Sequence, residues 1–149
     1  MQKYRDNAVQ LAIFNEGIGV KESLNKKYAF KTHSDAIKEA IQPGISCADL
    51  DKNNTHDNSG YGLYVLSELG REFGWFEMSS GDCSFMLNNS GSTLHTRPLQ
   101  LGTFVGVDFT NTRFNMNEKL EEIIEGGQQL ARAQGNNYVA SSSSRGLHI

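Results

Sequence analysis

The chain has 149 residues and a mass of 16.5 kDa, which suits one domain with a single hydrophobic core. Its net charge of −3 gives no broad basic surface, which argues against nucleic acid as the main partner. No apolar run is long enough to span a membrane, and the two cysteines are too few for a disulfide framework. Because the first residues also lack the apolar stretch of a signal peptide, we expect a cytoplasmic location.

A buried strand and a helix are predicted first along the chain. The apolar run "AVQLAIF", residues 8–14, ends at a glycine-containing segment and predicts a buried strand that leads into a loop. The segment "SDAIKEAIQPG" has apolar residues at helical spacing, with Ser34 or Asp35 as the N-cap and a stop at "PG". Residues 45–59 are polar and form a long loop, a length typical of lids, binding loops or disordered segments.

The middle of the chain predicts a second helix and then a set of short strands. The helix begins after Gly62 and ends at Gly74, with an apolar face at three- and four-residue spacing. "WFEMSS" and "CSFMLNN" with "GD" between them predict a hairpin, "STLHTR" a weaker third strand and "GTFVGVDF" a fourth. We expect the apolar face of the helix, Leu63, Leu66, Leu69 and Phe73, to pack on Val9, Leu11, Ile13, Phe104 and Val107.

A last helix and a polar tail complete the predicted order. "NMNEKLEEIIEGGQQLARAQ" predicts a helix that is weakened or interrupted at Gly126 and Gly127. The predicted boundaries are one domain over residues 1–115, a C-terminal helix over 116–134 and a disordered tail over 135–149. This order of elements predicts an α/β fold, a two-layer α/β sandwich with a mixed, mainly antiparallel sheet and helices on one face.

Glycines stand at three junctions of the predicted elements. Gly17 and Gly19 follow the first strand, Gly60 and Gly62 precede the middle helix, and Gly102 precedes the last strand. A G-x-G at a helix start is most often a turn, but it can also bring backbone N–H groups and the helix dipole against a phosphate. Taken alone, the second glycine pair leaves both interpretations open.

The order of these glycine motifs resembles the ATP-binding domain of the GHKL family, whose members include gyrase, a heat-shock chaperone, histidine kinases and MutL. In that family, which has the Bergerat fold, a strand ends in an acidic residue followed by x-G-x-G, a flexible lid follows, and G-x-G-L opens a helix. Here "IFNEGIGV" matches the first motif, "SGYGLYVLSELGREFG" the second and "LGTFVGVDF" the last strand. The resemblance covers residues 8–109 and implies an ATP-binding domain within residues 1–115.

The resemblance implies a role in nucleotide binding for residues of all three motifs. Asn15 would hold the adenine through its exocyclic amine, and Thr103 would offer a hydroxyl or backbone contact near the base. The backbone N–H groups at the start of the middle helix would cradle the phosphates, and residues 45–59 would form the ATP lid, with Asn53 and Asn54 among its polar contacts. The full set of implied nucleotide-binding residues is Asn15, Gly17, Gly19, Asn58, Ser59, Gly60, Tyr61, Gly62, Leu63 and Thr103.

Two departures from the family pattern bear on activity. The first motif normally begins with Asp, and the neutral Asn15 weakens the adenine contact by about 1 kcal/mol. The family also carries a Glu that activates water and an Asn that holds Mg²⁺ on a helix before the first strand, and only seven residues precede Ala8. We therefore expect an N-terminally incomplete Bergerat-like fold that binds ATP or ADP, with little role for Mg²⁺ and no hydrolysis by the chain alone.

A second function, from a different class, stays open on the same residues. The neutral Asn15 and the missing helix also fit a degenerate nucleotide-binding fold kept as a protein-interaction module. A sheet face and a first-strand edge that lack their cover would leave an apolar surface for a protein partner or for self-association. The retained glycine motifs favour nucleotide binding, because an abandoned phosphate site has no physical need for paired glycines.

The remaining reactive side chains give no pattern for catalysis or metal binding. His33, His56, His95 and His148 show no ligand spacing and are expected at solvated positions. Cys47 and Cys83 have no activating neighbour in the sequence, so both are expected to be inert thiols. No catalytic residue and no metal ligand is therefore predicted.

Overall fold

The computed structural model describes residues 8–47, 59–110, 115–137 and 139–141. In chain order the elements are β1 (Ala8–Asn15), α1 (Val20–Leu24), α2 (His33–Ala40), α3 (Gly62–Phe73), β2 (Gly74–Asn88), β3 (Gly91–Thr110) and α4 (Met116–Ala133). No helix in these ranges has both the length and the apolar character needed to cross a membrane. The protein is a mixed α/β fold, and α3 and α4 begin and end within a residue or two of their predicted bounds.

The strands form one antiparallel sheet in the order β1-β3-β2, so β3 lies in the centre. No parallel pair occurs in this part of the chain, whereas a mixed sheet was expected. The order also makes β1 an edge strand, with β3 on one side only.

The hairpin predicted at Gly81 and Asp82 is wrong, because β2 continues through both residues. The register of β2 against β3 shifts around Gly81, which has a φ of 63°. These residues therefore form an irregularity that bends one long strand rather than a turn between two strands. The true turn is at Asn89 and Ser90, and the predicted third and fourth strands are both parts of β3.

The helices cover one face of β2 and β3, and the alternation of the strands decides which side chains they meet. Val105 and Val107 point to the helices, and they lie opposite Met78 and Phe76 of β2 in the register. Phe104 is one residue out of phase and therefore points to the other face. The expected contact between α3 and Phe104 is wrong for this reason, while Leu69 and Val107 do share one core cluster.

The expectation that β1 is buried is also wrong, because all eight of its residues are exposed. Val9, Leu11 and Ile13 pair with the inward-facing residues of β3 but belong to neither core cluster. The reason is the edge position of β1, since α3 packs on β2 and β3 instead. An apolar strand is thus left with solvent on both of its faces.

The C-terminal part of the chain packs against α3 and shares the second core cluster with α3 and β3. Helix α4 runs through Gly126 and Gly127 without interruption, and its Ile123 and Ile124 are buried in the second core cluster. Gly127 packs closely against the ring of Tyr64, and this contact explains why a glycine stands there, since a side chain would overlap the ring. After α4, the Asn136 side-chain amide donates to the Gly44 carbonyl oxygen over 3.0 Å. The residues that follow 135 therefore make specific contacts, whereas residues 142–149 of the predicted tail lie outside the described ranges.

Candidate functional site

A cavity of about 530 Å³ lies where the end of β1, the turn into α1, the start of α3 and the strands β2 and β3 meet. This volume is within the range of small-molecule sites. Its apolar lining includes Leu24, Met78 and Val105, and its polar side chains include Asn15 and Thr103. Segments far apart in sequence thus build one concave site.

The end of β1 is fixed by the side chain of its last residue. Asn15 Oδ1 accepts a hydrogen bond from the Gly17 amide, which forms a tight local turn. A Cβ atom on Gly17 would lie only 2.6 Å from Asn15 Oδ1, so a larger residue there would force the Asn15 side chain to shift. The side-chain oxygen of Asn15 is therefore held at the cavity wall, and its second lone pair can still accept a hydrogen bond.

A buried serine joins the turn after β1 to the sheet. Ser80 is fully buried, and its Oγ accepts a hydrogen bond from the Val20 amide over 3.0 Å. The same hydroxyl donates to the Gly102 carbonyl oxygen over 3.0 Å, and Thr103 Oγ1 lies 3.5 Å away. Gly19, directly before Val20, sits so near that a Cβ atom there would be 3.0 Å from Ser80 Oγ. This serine therefore sets the distance between the turn and the strand across the cavity.

Ser80 was missed by sequence reasoning, although a signal for it exists. It is two and four residues after Met78 and Phe76, and all three point to the same side of β2. A serine in the inward phase of a buried strand must find hydrogen-bond partners, because an unpaired buried hydroxyl is costly. The alternation of β2 thus marks Ser80 as a structural polar residue.

Gly102 lies inside β3 and not before it, close to the end of β1. Its φ is 84°, and a Cβ atom there would overlap the backbone carbonyl oxygen of Asn15. Thr103, the next residue, pairs with Asn15 in the register of the sheet. The glycine therefore allows the two strands to bring Asn15 and Thr103 side by side at the cavity.

The second glycine motif contributes less to the cavity than the first. Leu63 lines it, whereas Gly62 is exposed at the start of α3, and no described atom outside its chain neighbours and its own helix lies within 4 Å of where a Cβ atom would stand. Helix α3 has no side-chain hydrogen bond at its N-cap and no acidic residue in its first turn. In the described part of the chain, the N-cap residue therefore provides no capping side chain for the first backbone N–H groups of the helix.

The residues just before α3 serve the packing of the domain. Gly60 packs on the backbone of Ile45, and its carbonyl oxygen accepts a hydrogen bond from the Gly44 amide over 3.2 Å. Tyr61 is fully buried in the second core cluster, and this burial raises the pKa of its phenol. Ser59 Oγ accepts a hydrogen bond from the Ser141 amide over 3.2 Å. Ser59, Gly60 and Tyr61 are therefore not part of the cavity wall, although Ile45, on which Gly60 packs, does line it.

The structure thus divides the ten residues that the sequence implied. Five of them line the cavity: Asn15, Gly17, Gly19, Leu63 and Thr103. Four lie at or before the start of α3 and do not line it: Ser59, Gly60, Tyr61 and Gly62. Asn58 lies outside the described residues, as do Asn53, Asn54 and His56 of the predicted lid.

Lys26 is the one charged residue among those that line the cavity in the described ranges. It follows α1 by two positions and is exposed. No sequence pattern singles it out, because its position at the wall depends on how α1 packs.

His33 is not at a solvated position, so that expectation is wrong for this residue. Its Nδ1 lies 2.7 Å from Asp82 Oδ1 and its Nε2 lies 3.5 Å from Glu22 Oε1, and the side chain is only 16% exposed. Gly81 leaves room for the ring, since a Cβ atom there would overlap it. The imidazole therefore ties α1, the start of α2 and the bend in β2 together behind the cavity.

The described residues also include two free cysteines, Cys47 and Cys83. Burial raises the pKa of the Cys83 thiol, which disfavours the reactive thiolate. Among the same residues no group of three or more His, Cys, Asp or Glu side chains could hold a metal ion. Comparisons of the chain with protein-family models, with curated proteins and with solved structures find no match.

Proposed function

We propose that this chain binds an adenine nucleotide, ATP or ADP, in the cavity of about 530 Å³. The observation that carries the proposal is that residues of three separate glycine motifs line this one cavity. Asn15, Leu63 and Thr103 come from β1, α3 and β3, and each belongs to a motif that the family resemblance assigns to the nucleotide.

The adenine would lie at the end where β1 and β3 meet. Asn15 Oδ1 is already oriented by the Gly17 amide, so little side-chain entropy is lost when its second lone pair accepts the exocyclic amine. The hydroxyl of Thr103 is adjacent through the strand register. Apolar side chains such as Met78 and Val105 offer the contact surface that a purine ring needs.

The phosphates would lie toward the start of α3. Leu63 brings the start of α3 to the cavity, and two observations on the described residues favour an anion there: the N-cap makes no side-chain capping hydrogen bond, and no acidic residue occupies the first turn. Uncapped N–H groups and the positive end of the helix dipole attract phosphate. Gly62 adds no side chain between these groups and the solvent.

We propose binding without hydrolysis by this chain. No Asp or Glu belongs to the described lining of the cavity, so these residues supply no carboxylate to activate a water molecule or to bind Mg²⁺. The expected property is therefore a nucleotide affinity that changes little with Mg²⁺. We place the chain in the cytoplasm, where such nucleotides and free thiols both occur.

A protein-interaction module is the second candidate, and one observation favours it. Val9, Leu11 and Ile13 of β1 are 44%, 39% and 50% exposed on an edge strand. An exposed apolar edge strand is a common site of pairing with another chain. Sedimentation of the purified chain is expected to show self-association if this edge is used, and a monomer otherwise.

Calorimetric titration with ADP and ATP tests the proposal directly. Thr103→Val keeps the shape of the side chain but removes the hydroxyl, and we expect it to weaken ADP binding by about 1 kcal/mol, or fivefold. Thr93→Val, in the exposed part of the hairpin, is the matched control and should leave the affinity unchanged. If the unaltered chain binds neither nucleotide at millimolar concentration, the interaction module is the function to retain.

A further inference from the structure

The cavity has one charged wall residue in the described ranges, and it is a cation. Lys26 lines the cavity, while its other lining residues there are polar or apolar. Lys26 takes part in no ion pair in this part of the chain. A cation without a carboxylate partner at the wall of a concave site favours an anionic ligand.

The backbone around Lys26 is held in place on both sides. Before it, Val20 and Leu24 anchor α1 in the first core cluster. The loop that contains Lys26 is closed by Asn25 on one side and Phe30 on the other, because Asn25 Nδ2 donates to the Phe30 carbonyl oxygen over 3.0 Å and Asn25 Oδ1 accepts from the Phe30 amide over 2.7 Å. The position of the Lys26 backbone is therefore fixed by the fold, and only the side chain needs to order on a ligand.

The neighbouring lysine has a different environment and shows that the placement of Lys26 is specific. The Lys27 ammonium lies 5.9 Å from the centre of the Tyr28 ring. Lys27 lines a separate cavity near the end of α4 and is not part of the wall that Lys26 lines. Two adjacent lysines of equal charge thus face two different parts of the surface.

We propose that Lys26 binds a phosphate group and makes the site selective for nucleotides over nucleosides. This inference rests on the proposed function and specifies its ligand class, a nucleoside di- or triphosphate. The ammonium supplies a mobile charge in the same cavity that Leu63, at the start of α3, also lines. Two positive features of one cavity would hold a polyphosphate between them, while the base occupies the Asn15 end.

The test compares ligands that differ only in charge. ADP, adenosine and inorganic tripolyphosphate are titrated into the unaltered chain, Lys26→Met and Lys27→Met by calorimetry. Methionine keeps the unbranched apolar stem and removes the charge. We expect Lys26→Met to weaken ADP and tripolyphosphate binding about fivefold and to leave adenosine binding unchanged. Lys27→Met should bind all three ligands like the unaltered chain, and the Lys26 effect should shrink as salt is raised.

Other outcomes separate the two proposals. If ADP and adenosine bind equally well to both the unaltered chain and Lys26→Met, the phosphate contact is refuted while nucleotide-site binding stands. If Lys26→Met and Lys27→Met weaken ADP equally, the effect is one of overall charge and the specific role is refuted. If none of the three ligands binds to the unaltered chain, both proposals fall together. Thermal unfolding of each variant establishes that the binding changes do not arise from loss of the fold.

Discussion

Gly17 and Gly19 line the cavity, whereas Gly60 and Gly62 stand at the start of α3, and the two pairs are glycines for different reasons. In the first pair, a side chain would meet Asn15 Oδ1 or Ser80 Oγ, the groups that shape the site. In the second pair, Gly60 packs against a neighbouring backbone and Gly62 packs against nothing within 4 Å.

The comparison shows that a G-x-G spacing indicates a constraint on the local backbone but does not identify the cause of that constraint. In the first pair the constraint arises at the cavity, because the turn must leave the Asn15 side-chain oxygen and the cavity open. At Gly60 the constraint arises from packing, because the chain before α3 must pass close to the Ile45 backbone. At Gly62, no described atom outside its chain neighbours and its own helix lies within 4 Å of the Cβ position, so the start of α3 is open on that side.

The largest effect on stability is expected from Gly102→Ala. This change tests whether the region around Gly17 and Gly19 depends on the close approach of β3 to β1. The new Cβ atom would overlap the Asn15 backbone carbonyl oxygen at a residue with a φ of 84°. We expect a loss of about 3–5 kcal/mol in the free energy of unfolding, measured with urea, because backbone atoms cannot move aside cheaply.

Gly91→Ala is the matched control for that change. Gly91 also has a positive φ, 130°, but no other atom lies within 4 Å of its Cβ position. It should show the conformational cost alone, about 1–2 kcal/mol. Equal losses for both variants would mean that the approach of Gly102 to Asn15 is not tight.

The second comparison is made within the other glycine pair. Gly60→Ala places a Cβ atom into the Ile45 backbone at a φ of 77°, and we expect it to cost about 2–4 kcal/mol of unfolding free energy. Gly62→Ala meets nothing and stands in a helix, so it should be neutral or stabilise the chain by up to about 1 kcal/mol. Urea unfolding of the two variants measures both, and a similar loss in each would contradict the structural difference between them.

Much of the fold could be predicted where local sequence decides the structure. The bounds of α3 follow from an apolar helical face that starts and ends at glycines, and the long apolar face of α4 outweighs Gly126 and Gly127. The hairpin was misplaced because Gly81 and Asp82 read as a turn, whereas tertiary contact with His33 makes them a bend. The hydrophobic periodicity of the sequence cannot predict that tertiary contact.

The exposure of β1 and part of the site could not be predicted for a related reason. An apolar run indicates a strand, but strand order alone decides whether it is central or at an edge, and β1 is at the edge. The motif residues at the cavity were predicted through a family resemblance. Ser80 and Lys26 were not, because their roles depend on distances between segments separated in sequence.

Ser80→Ala is expected to have an intermediate effect on stability. It tests the contact that joins the turn at Gly17 and Gly19 to the sheet. The change leaves the Val20 amide and the Gly102 carbonyl oxygen without their shared partner in a buried position. We expect a loss of about 1–3 kcal/mol in the free energy of unfolding and weaker ADP binding, because the turn after β1 loses its anchor. Ser90→Ala in the exposed hairpin turn is the control, and it should change neither quantity.

The smallest expected effect is the most specific, and it concerns the base. Asn15→Asp keeps the acceptor that holds the Gly17 amide and adds a negative charge toward the adenine amine. A charge-assisted hydrogen bond should strengthen adenosine binding by about 1 kcal/mol, or fivefold, in calorimetric titration. Inosine presents a carbonyl oxygen where adenosine presents the amine, so the same variant should bind inosine no better, or worse. Using nucleosides removes any repulsion between the new carboxylate and phosphates.

Glu16→Gln, a charge change at the next exposed residue, controls for the general electrostatic potential around the site. An equal gain for both nucleosides would show that Asn15 does not face the amine, and the base would then have to lie elsewhere in the cavity.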